Sequence, residues 1–171
     1  RDALVSQDIL NLRHFPLIGP STSIPGIFHG AYYYYLMAVP YYLGSGNPLF
    51  AAFFIVLISS FTSVIGYFFA KNVFNSTRCG ILYAVFIAFS FEYVLYSRWL
   101  IHVSFSVPLT LASYFMLWKY SKMQKGTFLI AFFLLASFAS QFEMILLPQF
   151  IFSLVILYLF KIVKNVQIKD L

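Results

Sequence analysis

The charges of this chain are sorted along it. Lys and Arg occupy every second gap between long apolar runs: Lys71 and Arg78, then Lys119, Lys122 and Lys125, then Lys161, Lys164 and Lys169. The intervening gaps hold Asp2, Asp8, Arg98, His102, Gln141 and Glu143. A polytopic membrane protein shows this alternation when its basic gaps face the cytoplasm and the others face out. The pattern constrains class and orientation together.

Composition points the same way. With 61% hydrophobic and 9% charged residues, the chain has too little polar surface to clothe a water-soluble globule. Its mean hydropathy is +0.85. The net charge of +6 does not indicate nucleic acid, because the basic residues flank apolar runs and do not gather on one amphipathic face. Anionic headgroups of the lipid bilayer are the expected partner. A single cysteine, Cys79, excludes an intrachain disulfide.

The expected fold is an all-α integral membrane bundle of about five transmembrane helices, at about 49–70, 79–97, 104–120, 126–140 and 144–162. Residues 1–47 read as an outer, extracytoplasmic loop with short juxtamembrane helices, and residues 48–171 as the bundle. Asn47-Pro48 starts the first span, since proline is tolerated in a first helical turn. The apolar stretch from Phe128 to Phe160 divides into a hairpin, because Gln141, Glu143 and Pro148 interrupt it and a carboxylate at mid-depth is costly. A second outer tip lies at 97–104, and Glu92, just below it, is expected to face the protein interior.

Within the opening segment, Leu4, Val5, Ile9 and Leu12 recur at helical spacing and predict a short amphipathic helix lying on the membrane surface. Gly19-Pro20-Ser21-Thr22-Ser23 and Pro25-Gly26 predict a loop with little intrinsic order. The cluster Tyr32, Tyr33, Tyr34, Tyr35, Tyr41 and Tyr42 has the aromatic density of a headgroup layer. The chain opens without a basic n-region or apolar h-region, so neither a signal peptide nor a first anchor is expected within it, and an outward-facing start implies a helix upstream in a larger protein.

No P-loop, GxGxxG, GxSxG, HExxH or CxxC pattern is present, which argues against Walker-type nucleotide hydrolysis and thiol redox chemistry. The ionisable residues expected on one membrane face are candidates for function, because polar groups at membrane depth are expensive to keep. Carboxylates there can deprotonate an acceptor or hold a divalent cation, while Arg and His can neutralise a departing phosphate. Glycosyl transfer from a lipid-linked phosphosugar needs both. A transporter or flippase-like module, with Glu92 and Glu143 binding a cation or headgroup, is the alternative, and the absence of an internal repeat weakens it.

Arg1-Asp2-Ala3-Leu4, Pro16-Leu17-Ile18-Gly19-Pro20 and His29-Gly30-Ala31 followed by the Tyr run resemble the first outer loop of C-type (GT-C) membrane glycosyltransferases related to protein O-mannosyltransferases and aminoarabinose transferases. Tyr96-Ser97-Arg98-Trp99 and Gln141-Phe142-Glu143 also resemble that family. The resemblance implies a polyprenyl-phosphate-linked sugar donor, an acidic catalytic residue at Asp2, and substrate contacts from His29, Tyr33, Arg98, His102, Gln141 and Glu143. Family members also carry an acidic residue upstream of the Arg-Asp pair and a proline at the position of Ala31, and neither is present here.

Overall fold

A computed structural model describes residues 2–169, with side chains described for residues 2–159. Arg1 and the basic side chains Lys161, Lys164 and Lys169 lie outside that range. The described residues are mostly helical, with no strand among them beyond one isolated bridge between Ser21 and Phe28. The order is α1 (Asp2–Leu10), α2 (Tyr32–Leu43), α3 (Pro48–Phe74), α4 (Thr77–Phe89), α5 (Phe91–Tyr96), α6 (Val103–Met123), α7 (Gly126–Phe142) and α8 (Leu146–Lys169).

By length and composition, α3 is the one described helix able to cross a membrane, while Thr77–Phe89, Gly126–Phe142 and Leu146–Leu159 are apolar but shorter. The helix ends follow local chemistry. The Asn47 side chain accepts from the Leu49 amide at 2.9 Å with Pro48 in the first turn, and Ser76 accepts from the Cys79 amide. At the other ends, Asn75 and Gln124 take left-handed conformations that stop α3 and α6.

Two helical hairpins, α3–α4 and α6–α7, carry the most extensive contacts, and α3 packs on α6 to join them. The α3–α6 seam is parallel: Phe54 meets Phe105 near both N-termini and Phe69 meets Phe115 further along. This register puts Lys71, Arg78, Lys119, Lys122 and Lys125 at one end of the bundle, where Lys119 also lies over the rings of Phe115 and Phe128. The His102 and Glu143 termini fall at the opposite end. Many outward residues are also apolar, among them Phe53, Phe86, Phe89, Leu134 and Phe152. Helices hydrophobic on every side belong in a large core or in lipid.

Four local expectations change. The span expected over 79–97 breaks at Ser90, whose extended ψ of 117° ends α4 and starts α5. Glu92 is consequently exposed and does not face the interior, because the break turns the first turn of α5 outward where a carboxylate keeps water. The Tyr run is not wholly interfacial: it forms α2, and Tyr33, Tyr34 and Tyr41 are buried with Met37 and Ala38 while Tyr32 and Tyr42 stay exposed. In α1, Ser6 and Ile9 form the buried stripe against α2, and Leu4 and Leu12 point outward.

The loop before α2 is ordered by its own backbone. Gly19 N–H donates to the His29 carbonyl at 3.0 Å, His29 N–H to Pro20 at 2.9 Å and Thr22 N–H to Ile27 at 3.0 Å. The Thr22 side chain closes the turn inside this ladder. Turn-forming residues therefore made a pinned hairpin-like loop here, which delivers His29 to α7.

Candidate functional site

The site begins with glycine. Gly30 N–H donates to the Gln141 carbonyl at 2.8 Å, and a Cβ at Gly30 would lie 1.9 Å from Gln141 Oε1. Glycine leaves room here for the Gln141 side chain, which would otherwise have to shift. Gln141 is thus a docking point for the loop, and Glu143, two residues on, is the C-cap of α7.

Beside that contact, His29 is buried, with 6% exposure, and its ring lies 4.1 Å from the ring of His102. His102 stands at the N-terminus of α6 with Nε2 3.9 Å from Glu143 Oε2. Both side chains are partly exposed, so the cluster forms a rim with one buried wall. Tyr33 packs edge-on to His102 at 6.0 Å, and its hydroxyl donates to the Leu100 carbonyl at 3.0 Å. That bond fixes the turn before His102. Ser104 ties the same turn down by donating to Tyr96 and Trp99 carbonyls.

One polar atom stands out. His29 Nδ1 is buried without a hydrogen-bond partner, although buried polar atoms are normally satisfied. One ligand atom each from His29, His102 and Glu143 lie within 4.8 Å of one another, so this group could hold a metal ion.

Five of the residues singled out from sequence therefore converge: His29, Tyr33, His102, Gln141 and Glu143. Asp2 and Arg98 do not join them. Asp2 opens α1 close to Tyr41, where burial, with the Asp2 carboxylate as the second cause, pushes the Tyr41 hydroxyl above its ordinary range. Arg98 is exposed and borders a groove with Ser59, Ser63, Tyr93 and Ser97. Glu92 and Arg98 form no ion pair with each other.

An apolar groove of about 350 Å³ runs between α4 and α6, lined by residues such as Phe86, Ile87, Val107 and Leu111. Tyr93 lies at its upper part and donates its hydroxyl toward Ser59 and Thr62 of α3. Reading the sequence missed this groove and the roles of Gly19 and Gly30, since a glycine's need for close approach shows only when the partner backbone is in place. The Gly30-to-Tyr run and the Gln141-Phe142-Glu143 triplet were the available signals.

Comparison with known proteins adds no relative: no family model, curated protein or solved structure matches this chain.

Proposed function

We propose that this chain acts in an integral membrane glycosyltransferase, multi-pass in the plasma membrane with residues 1–47 on the outer face, which transfers a sugar from a polyprenyl-phosphate donor to an acceptor there. The observation that carries the reading is the convergence of His29, Tyr33, His102, Gln141 and Glu143 at the bundle end opposite the lysines. A rim with imidazoles suits a phosphosugar, and the apolar groove between α4 and α6 suits a polyprenyl tail. The apolar exterior and the sorted lysines support a membrane setting with the rim outside, in which α3 alone of the described helices is long and apolar enough to cross by itself.

The proposed mechanism is a single displacement at the anomeric carbon. His102 steadies the departing phosphate at the rim, and Asp2, which lies beside Tyr41 and apart from the cluster, takes the acceptor proton on the strength of the family resemblance alone.

Full-length protein reconstituted in liposomes with a radiolabelled polyprenyl-phosphate sugar tests the reading. Asp2→Asn and His102→Gln should each lower turnover by about 100-fold or more. Wild-type turnover in both variants would remove the mechanism, and solute uptake without transfer would favour the transporter reading.

A further inference from the structure

The His29–His102–Glu143 cluster has the chemistry of a metal site, and it does not depend on the proposed sugar transfer. Three observations point to a cation. His29 Nδ1 is buried and unpartnered, in a side chain held against the cluster by its loop. The two imidazole rings pack 4.1 Å apart at a tilt of 38°, which brings a nitrogen of each within reach of one ion. His102 Nε2 and Glu143 Oε2 are 3.9 Å apart, too long for a hydrogen bond but close to the spacing of two ligands on one ion.

We infer that His29, His102 and Glu143 bind one Zn²⁺ ion, leaving a fourth position open to the rim. Two imidazole nitrogens and a carboxylate oxygen form a borderline donor set, suited to zinc and poorly suited to Mg²⁺, which prefers six oxygens. Tetrahedral bonds of about 2.0–2.2 Å put ligand atoms about 3.4 Å apart. The ligand atoms now lie within 4.8 Å of one another, so binding an ion draws them together by about 1.4 Å at most.

The frame around the ligands is already fixed. Gly30 bonds to Gln141 on the Glu143 side, the Gly19 and Pro20 bonds hold His29, and the Tyr33 hydroxyl secures Leu100 ahead of His102. A preorganised shell of this kind orients ligands before the ion arrives. Three protein ligands with an open fourth site give a Lewis acid that takes water or an anionic oxygen such as a phosphate oxygen.

The test uses the full protein in detergent, stripped with a chelator and titrated with Zn²⁺, Co²⁺ and Mg²⁺ while bound metal is counted by mass spectrometry. One Zn²⁺ per chain is expected, undisplaced by about 100-fold excess Mg²⁺, and Co²⁺ should give the intense visible bands of a tetrahedral complex. Glu143→Gln and His102→Gln should each weaken Zn²⁺ binding by about 100-fold, whereas Asp8→Asn should leave it unchanged. His29→Gln alters a buried position, so Glu143→Gln, on the accessible rim, is the deciding variant once its monodisperse elution is verified. Equal Zn²⁺ affinity in Glu143→Gln, or no stoichiometric Zn²⁺ in the wild type, overturns the assignment. Zinc binding that survives without any glycosyl transfer would sink only the proposed function.

Discussion

Replacing Gly19 with alanine should unseat His29 while leaving the helical bundle standing. A Cβ at Gly19 would lie 2.2 Å from the Gly30 carbonyl oxygen, 2.6 Å from the Gly30 carbonyl carbon and 2.7 Å from the His29 oxygen. All three are backbone atoms, so no rotamer relieves the clash. Ordinary contact begins near 3.4 Å, and the facing loop segment at 29–30 must therefore recede by about 1.2 Å. That movement breaks the Gly19-to-His29 and His29-to-Pro20 bonds, at about 1 kcal/mol each and so about 2 kcal/mol together. Local opening of the loop should become about 30-fold more frequent, which native-state hydrogen exchange reads at the His29 amide. Zinc affinity should fall by up to the same factor, because binding must close the loop again. Thermal melting should barely change, since the α3–α4 and α6–α7 contacts do not involve this loop. Gly126→Ala is the control: open space surrounds that position, so exchange at His29 should be unaltered. Wild-type protection at His29 in the Gly19→Ala protein would refute the steric reasoning.

Other perturbations report on the bundle. Phe132→Ala removes a fully buried ring from the α6–α7–α8 core and should cost about 3–5 kcal/mol, measured by denaturation in detergent. Gly66→Ala places a methyl group 2.7 Å from Ile87 Cδ1 and 2.9 Å from the Tyr83 ring, so the α3–α4 pair should loosen by about 1–3 kcal/mol, seen as faster proteolysis between the two helices. Tyr41 has a raised folded-state pKa, so its contribution is fully present below pH 10.0 and is lost as pH climbs through the folded value. Wild-type stability should therefore decline above that pH, and Tyr41→Phe should remove that part of the slope.

Much of the helical layout was legible in the sequence. Asn47-Pro48 marks the start of α3 because Asn47 caps its first turn, and Gln141, Glu143 and Pro148 mark the turn between α7 and α8 because polar groups are costly within an apolar span. The break at Ser90 was not legible: apolar residues surround it on both sides, and periodicity carries no signal in a helix hydrophobic all round. The burial of Tyr33 and Tyr34 depends on α1 and α3, whose packing the Tyr run does not encode locally. The site was legible as a list of polar residues at two tips and a loop. It was not legible as a geometry, since the meeting of His29 with His102 depends on the α3–α6 seam and on a loop whose bonds run between backbone atoms. Asp2 shows the same limit from the other side: its position in sequence suggested the rim, and its fold neighbour is Tyr41.

The parallel seam between α3 and α6 also sets an order of assembly. Each hairpin can form from its own stretch of chain, whereas the seam joins segments distant in sequence and must close later. His29 comes from the first half, while His102 and Glu143 come from the second, so the triad is completed only by this late docking. Two co-expressed pieces cut between Arg98 and Leu100 should then recover metal uptake only on association, making the triad a chemical reporter of the final folding step.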